Sequence, residues 1–274
     1  MTLIFYFMNE NSLLLAVLTF GYGLAPFFTN RFFLKNSKIY SVFHFISFLL
    51  ILLAIFFRIP KLTVVWPIFC GLGLVLFCKI QKTNFKQLQT WIGFLPFGFS
   101  LLSSLWFYCG QNECHLLGYN ETWSYYAAIH GCFIGWLFLS GIISVSNHPE
   151  GSKKTLIESL GIVILFLLIA LGIYGNPILK KIAVVGFSFL VPYTLWVATK
   201  EIRNQNRVSL ILANCSRLFL CFTFLLALVH EFYIGFPKFI YGYPLMVILH
   251  GGINAFLVIP CFLFSLLFAK EEST

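Results

Sequence analysis

The stretch that decides the fold, residues 243–270, reads YPLMVILHGGINAFLVIPCFLFSLLFAK. Residues 245–268 carry no acidic or basic side chain except one histidine, and they exceed the ~20 apolar residues that a helix needs to cross a bilayer. His250 and Asn254 are four residues apart, so in a helix they project from one face. Polar groups in hydrocarbon are unfavourable without partners. We therefore expect this face to meet other helices or a cavity.

A second apolar stretch, residues 123–145, has the same arrangement. His130 is followed by Gly131 and Gly135, and the last stretch repeats this spacing with Ala255 in the final position. Small residues spaced four apart allow a neighbouring helix to approach closely. We therefore predict that these two spans contact each other and that both imidazoles lie near the contact.

The composition is that of a membrane protein with several spans. Of the 274 residues, 59% are hydrophobic, 19% are aromatic and only 10% are charged, which excludes an ordinary soluble domain. The 34 Phe are more than one water-soluble core could bury, and lipid contact along many helices accounts for them. The formal charge of +9 is spread over short clusters between apolar runs, so it indicates membrane topology and no nucleic-acid partner.

The hydrophobic runs predict an all-α integral membrane protein, a bundle of about nine transmembrane helices. Its loops are too short to form a separate soluble domain, so residues 1–274 are predicted to form one polytopic transmembrane domain in the cell membrane. The predicted spans are about 11–28, 39–57, 62–78, 88–108, 123–145, 156–174, 182–199, 208–235 and 244–268.

Loop charge predicts the orientation of these spans. Segments facing the cytoplasm carry an excess of Lys and Arg. An outer N-terminus and an inner C-terminus satisfy this rule with twelve such residues inside and five outside. The inner set is Arg31, Lys35, Lys38, Lys79, Lys82, Lys86, Lys153, Lys154, Lys200, Arg203, Arg207 and Lys270, and the outer set is Arg58, Lys61, Lys180, Lys181 and Lys238.

Four polar side chains then fall at one depth, in the outer third of three spans. They are His130, His230, Glu231 and His250, and we predict that they bind a substrate or a proton. Asn254 lies one turn further in than His250 and extends this candidate site. The alternative for His250 and Asn254 is a hydrogen-bonded clamp between helices.

Arg217 lies in the middle of its span, with Asn214 one turn before it. A cation near the bilayer centre costs roughly 3 kcal/mol on insertion scales, so we expect a facing carboxylate, a set of carbonyls or an anionic ligand. Structural pairing and ligand binding are both open for Arg217. Glu158 and His44 lie about one turn from the inner surface, where their side chains are expected to reach water.

The cysteines separate into two groups. Cys109 and Cys114 bracket a polar Gly-Gln-Asn-Glu loop, and a disulfide is predicted there if the loop is extracytoplasmic. The other six lie in or beside apolar runs without metal-type spacing, so they are interpreted as packing residues. No nucleotide-binding loop, paired-cysteine motif or nucleophile elbow occurs, and neither a cofactor nor a metal site is predicted.

The two histidine stretches resemble those of the YndJ-like family of bacterial multi-pass membrane proteins. That family has a His-x-His-aromatic-Ala-Gly-aromatic segment in mid-chain and a His-Gly-x-x-Asn-Ala segment near the C-terminus. Residues 250–255 match the second segment fully, whereas residues 130–136 depart at Cys132, where the pattern has its second histidine. The resemblance implies a multi-pass membrane protein with a transporter-like label and no stated substrate.

These observations lead to three hypotheses. The first is a small-solute or proton-coupled permease, with prolines inside spans breaking helices along the pathway (Pro67, Pro96, Pro192 and Pro260). The second is a membrane-embedded acid–base enzyme, of isomerase or cyclase type, acting on a lipophilic substrate with Glu231 tuning an imidazole. The third is a purely structural membrane protein. The partners are the lipid bilayer and an unidentified small molecule or lipophilic substrate, and the oligomeric state is open.

Overall fold

The computed structural model describes residues 9–82, 85–145, 149–200, 207–240 and 242–271. Within these ranges, nine helices are long and apolar enough to cross a bilayer, which confirms the predicted number. They are α1 (Glu10–Phe33), α2 (Lys38–Phe56), α3 (3-10 at Pro60–Val64, α at Val65–Ile80), α4 (Leu88–Gln111), α5 (α at Glu121–His130, π at Gly131–Phe138, α at Leu139–Ser144), α6 (Pro149–Tyr174), α7 (Pro177–Lys200), α8 (Arg207–Phe232) and α9 (π at Met246–Gly251 and Asn254–Val258, α at Ile259–Glu271).

A small hairpin departs from the all-α prediction. β1 (Phe239–Ile240) pairs antiparallel with β2 (Tyr243–Pro244), just before α9 begins. Gly242 takes a φ of +83° in the turn between them, a conformation that glycine adopts without a steric penalty. Pro244, the first residue of the predicted ninth span, therefore belongs to a short strand.

Two of the nine helices contain π-helical segments that the sequence did not predict. In α9 the backbone N–H of Gly252 donates to Val247 O, and that of Ile259 donates to Asn254 O, each five residues back. α4 and α7 continue through Pro96 and Pro192, so these two prolines do not interrupt their helices. Irregular backbone occurs instead in the two segments that carry the histidine motifs.

The described chain forms two compact units, Met1–Ser140 and Gly141–Thr274. In the first unit α5 packs between α1 and α4. Its aromatic core centres on the buried Tyr22, whose ring centroid lies 4.7 Å from that of Trp66 and 6.5 Å from that of Trp136. The Tyr22 hydroxyl is 3.0 Å from Ser103 O, which gives this buried polar group a partner.

The second unit begins at the last turn of α5 and contains α6 to α9. Its helices pack in sequence order, α6 on α7, α7 on α8 and α8 on α9. α6 and α7 approach each other closely at Gly172, where a Cβ atom would come 2.3 Å from Lys180 N. The prediction of a single domain over the whole chain stays a prediction.

A seam of buried small and hydroxyl side chains joins α8 to α9. Ser209 Oγ donates to Ser265 O (2.6 Å), and Ser216 Oγ donates to Val258 O (2.9 Å). Alternating spacings of four and three residues place the buried positions on one stripe, as in a coiled-coil contact. They are Ser209, Ala213, Ser216, Leu220, Thr223 and Ala227. Hydrogen bonds between helices and the small side chains together explain the close pairing.

Candidate functional site

His250 and Asn254 converge on Thr223, and we call these three residues the Thr223 cluster. His250 Nδ1 lies 2.9 Å from Thr223 O, and Thr223 Oγ1 donates to Asn254 Oδ1 at 2.8 Å. The prediction that the imidazole and the carboxamide face a neighbouring helix is therefore confirmed. A carbonyl oxygen only accepts hydrogen bonds, so Nδ1 of His250 carries a proton and Nε2 of the neutral ring carries the lone pair.

The Thr223 hydroxyl has two acceptors within reach. It lies 3.0 Å from Leu220 O in its own helix as well as 2.8 Å from Asn254 Oδ1. A hydroxyl has one proton, so it donates to only one of these oxygens at a time. The hydrogen bond between Thr223 and Asn254 can therefore exchange with a bond inside α8 without movement of either helix.

The local backbone of α9 leaves room beside His250. A Cβ atom on Gly251 would meet Met246 O of the same helix at 3.6 Å, an ordinary van der Waals distance. His250 itself is half-buried, with its ring edge-to-face against Phe224 at a centroid distance of 5.8 Å. π-helical turns of this kind occur frequently at functional sites. The Thr223 cluster thus combines polar groups, irregular backbone and partial accessibility.

His130 has a different environment. Its Nδ1 lies 2.8 Å from Tyr126 O, an acceptor in its own helix. A Cβ on Gly131 would lie 3.2 Å from Ser103 Cβ, and one on Gly135 would lie 2.0 Å from Phe99 Cδ1. The predicted close approach at these glycines is confirmed, but the approaching helix is α4. The contact of Gly131 and Gly135 with the ninth span stays a prediction.

The far end of α5 does contact the last helix within the second unit. A Cβ on Gly141 would come 2.4 Å from Phe262 Cε1, so this turn packs directly on α9. His130 belongs to the first unit and His250 to the second. A ligand shared by the two imidazoles stays a prediction.

His230 and Glu231 lie near the C-terminal end of α8 and contact residues outside the Thr223 cluster. Glu231 Oε2 forms an ion pair with Lys180 Nζ of α7 at 2.7 Å, and Lys238 Nζ donates to His230 O at 2.6 Å. Glu231 is eight residues from Thr223, about 12 Å along the helix axis. These contacts fasten the ends of α7 and α8 and the following loop, at a different height from the Thr223 cluster.

The contacts of Arg217 include two neutral oxygens and an aromatic ring. Its Nε donates to Thr199 Oγ1 at 2.8 Å, and an Nη atom donates to Asn214 Oδ1 at 3.2 Å. The guanidinium carbon lies 4.5 Å from the ring centroid of Trp196, whose side chain is 56% exposed. Arg217 and Asn214 are thus brought together as predicted, on the face shared by α7 and α8.

The expectation that Glu158 reaches water is wrong. Its residue is 7% exposed, and Lys154 Nζ, four residues earlier on α6, lies 3.9 Å from its Oε1. Position 158 lies on the face of α6 that also buries Ser159 and Ile162, so the carboxyl group points toward neighbouring helices. His44 is half-buried, and its Nε2 lies 3.2 Å from Tyr22 O.

Cys109 and Cys114 are both free thiols in the structure. Cys114 N donates to Cys109 O at 3.0 Å, which closes the intervening loop through the backbone. The disulfide between them stays a prediction. Among the described residues, no group of three or more His, Cys, Asp or Glu side chains is arranged to hold a metal ion.

Sequence reasoning missed Thr223, Thr199 and Trp196. Thr223 was recoverable, because Ser209, Ser216 and Thr223 recur every seven residues along one apolar span. Trp196 and Thr199 gave no comparable signal, because an isolated tryptophan and threonine are common in membrane helices.

The family model for YndJ-like proteins matches residues 29–258, from the end of α1 to the second π-helical turn of α9. No curated protein and no solved structure matches the chain. Because the family match covers most of the sequence and both histidine segments, the chain belongs to the YndJ-like family, as the resemblance of those segments predicted.

Proposed function

We propose that this member of the YndJ-like family is a multi-pass protein of the cell membrane that moves protons or a small solute, with the Thr223 cluster as its binding site. The charge distribution of the loops supports an outer N-terminus and an inner C-terminus. The observation that carries the proposal is the π-helical backbone of α9 around His250 and Asn254. Irregular backbone inside a membrane span is typical of the substrate and ion sites of transporters.

The chemistry of the cluster suits proton binding. His250 Nδ1–H is fixed by Thr223 O, so Nε2 of the neutral ring is the atom that accepts a proton. When Asn254 Oδ1 accepts from Thr223, the amide N–H groups of Asn254 are left to donate to an anionic or carbonyl-containing solute.

The acid–base enzyme hypothesis receives less support from the geometry. It required Glu231 to orient or tune an imidazole, but the Glu231 carboxylate forms a 2.7 Å ion pair with Lys180. Thr223, whose carbonyl oxygen lies 2.9 Å from His250 Nδ1, is eight residues from Glu231, about 12 Å along the axis of α8. We therefore place the transport proposal first.

Proton flux into proteoliposomes that contain the purified full-length protein tests the proposal. A pH-sensitive dye in the lumen reports acidification after an imposed potential. We expect His250→Gln to lower the protein-dependent rate at least about tenfold, since it removes the titrating ring. Ser216→Ala, a matched control in the same α8–α9 seam, should keep a rate within about twofold, because its bond to Val258 O lies two turns from Thr223.

Two results would count against the proposal. One is a wild-type protein that conducts neither protons nor any co-supplied metabolite above empty vesicles. The other is a His250→Gln protein with a wild-type rate. If His250→Gln lowers only the amount of folded protein, the structural hypothesis is preferred.

A further inference from the structure

Glu158 of α6 is a buried carboxyl group with an unsatisfied oxygen. Its side chain is 8% exposed, and its Oε1 atom has no hydrogen-bond partner among the described residues. The hydroxyl group of the next residue, Ser159, is also buried and has no hydrogen-bond partner there. Buried polar groups in proteins are nearly always hydrogen-bonded. Two unsatisfied oxygens in neighbouring residues of one helix therefore indicate a site with a purpose other than packing.

A cation, Lys154, lies one turn before Glu158 on the same helix. Its Nζ atom is 3.9 Å from Glu158 Oε1, which is longer than the roughly 3 Å of a hydrogen bond. The Lys154 side chain is 49% exposed, and its Nζ atom also lies 5.4 Å from the ring centroid of Tyr193 on α7. The ammonium group therefore lies between water, an aromatic ring and the carboxyl group, without a hydrogen bond to the carboxyl group.

Glu231 of α8 provides a comparison at similar burial. Its side chain is 10% exposed, and its Oε2 atom lies 2.7 Å from Lys180 Nζ on the adjacent helix. That distance is typical of a hydrogen-bonded ion pair between an ammonium group and a carboxylate. Glu158 is buried to the same degree, but Lys154 stays 3.9 Å away. An ionised Glu158 would therefore lack the contact that Glu231 has.

A neutral carboxyl group suits the surroundings of Glu158 better than a carboxylate does. Burial of a carboxylate without hydrogen-bond donors is far less favourable than burial of a neutral carboxyl group, which can itself donate a hydrogen bond. α7 packs along α6 and carries no acidic or basic side chain between Lys181 and Lys200. Tyr193 is the one titratable residue of α7 in that range, and its ring contacts Lys154.

We infer that Glu158 is a proton-binding site, whose carboxyl group is protonated at neutral pH and exchanges its proton with water on the side of α6 where Lys154 lies. When the proton passes to water, the carboxylate remains, and Lys154 Nζ stabilises it by closing the 3.9 Å gap. In the orientation derived from loop charge, position 158 lies near the inner surface and His250 in the outer third of its span. A role of Glu158 in proton flux rests on the proposed function, whereas proton binding does not.

Infrared spectroscopy of the purified full-length protein in lipid nanodiscs at neutral pH tests proton binding. A protonated carboxyl group in apolar surroundings gives a C=O band separate from the bands of carboxylates and backbone amides. We expect the wild type to show this band and Glu158→Gln to lose most of it. Glu231→Gln, the matched control at a carboxyl group of similar burial, should keep the band. Transfer to heavy water should shift the band, because the bound proton exchanges with solvent.

A wild-type protein without the band would overturn the inference, as would a folded Glu158→Gln protein that keeps it. A band that does not shift in heavy water would also overturn it, since Glu158 would then be a sealed structural carboxyl group. If Glu158→Gln does not fold, labelling of the wild type with dicyclohexylcarbodiimide decides. This apolar reagent adds to protonated carboxyl groups, so the peptide with Glu158 should be labelled and the peptide with Glu231 should not. Equal labelling of the two peptides, or none at Glu158, would refute the site.

The proteoliposome assay measures the role of Glu158 in flux separately. Glutamine has nearly the shape of glutamic acid but binds no proton, so we expect Glu158→Gln to lower the proton flux at least about tenfold. A wild-type rate in Glu158→Gln beside a reduced rate in His250→Gln would remove Glu158 from the proton path. Absence of flux in the wild type would refute the proposed function, and the infrared band would still decide whether Glu158 binds a proton.

Discussion

His130 and His250 stand in nearly the same sequence pattern, yet their surroundings differ. Each lies in or next to a π-helical segment and directs Nδ1 to a backbone carbonyl. The acceptor of His130 is Tyr126 in its own helix, whereas that of His250 is Thr223 in the adjacent helix. Both histidines therefore adjoin irregular backbone and small residues. The helices packed against each segment determine whether the space beside the imidazole is filled or open.

The glycines that follow the two histidines also differ in their surroundings. Beside His130, Ser103 and Phe99 of α4 fill the space in front of Gly131 and Gly135. Beside His250, a Cβ atom on Gly251 would meet no side chain of the described residues within 4 Å. In the first unit the small residues serve close packing, and in the second they leave the imidazole accessible. Substitutions at Gly131 and Gly135 are therefore expected to have the largest effects.

Gly135→Leu is expected to prevent folding of most of the protein. Even the first added carbon would lie 2.0 Å from Phe99 Cδ1, so α4 and α5 must separate. Overpacking of this kind costs about 3 kcal/mol or more. Gly251→Ala, at the small residue that follows His250 in α9, should cost less than about 1 kcal/mol. Fluorescence-detected size-exclusion chromatography and thermal unfolding measure both, and similar losses at the two positions would contradict the contrast.

Loss of the Glu231 carboxylate should have an intermediate effect on stability and little effect on flux. Glu231→Gln leaves Lys180 without its 2.7 Å partner, which we expect to cost about 1–2 kcal/mol. Replacing both residues, with Lys180→Gln, should recover part of that loss because no unpaired charge remains. Unfolding temperatures of the two single variants and the double variant measure the coupling. A greatly reduced proton flux in the double variant would return Glu231 to the binding site.

A comparison of Thr223→Val with Ser216→Ala distinguishes the role of the Thr223 cluster in proton flux from the packing role of the rest of the α8–α9 seam. Each removes one buried hydroxyl that bonds to α9, so each should cost about 1 kcal/mol of stability. Only Thr223→Val removes the contact to Asn254, and we expect it alone to change proton flux, by about threefold to tenfold. Equal fluxes in the two variants would show that the Asn254 contact is one more packing bond.

The helices were predictable because each requires a long apolar run, and no packing detail alters that requirement. The π-helical segments could not be predicted. A π-helix differs from an α-helix by hydrogen bonds to the fifth residue back, and the residue types in Met246–Gly251 do not distinguish the two. The glycines next to His130 correctly indicated a close helix contact, but small residues carry no information about which helix makes it. Glu158 was misjudged because burial depends on the neighbours of α6, and the sequence shows only distance from the span end.

Part of the candidate site was accessible from sequence. The four-residue spacing of His250 and Asn254 correctly placed both groups on one face toward another helix. The predicted grouping of Glu231 with His250 overlooked the ion pair between Glu231 and Lys180. Such a pair depends on the register of α7 against α8, which the sequence does not show. Position along a span therefore gives only an approximate height in the membrane, and helix register decides which residues become partners.

The most direct test of the account compares His130→Gln and His250→Gln in the same proteoliposome assay, with equal amounts of folded protein. Glutamine keeps a hydrogen-bond donor at each carbonyl and removes the titrating ring. We predict that His250→Gln lowers the proton flux at least about tenfold, whereas His130→Gln stays within about threefold of wild type. Equal loss in both variants would contradict the account and support a ligand shared by the two imidazoles.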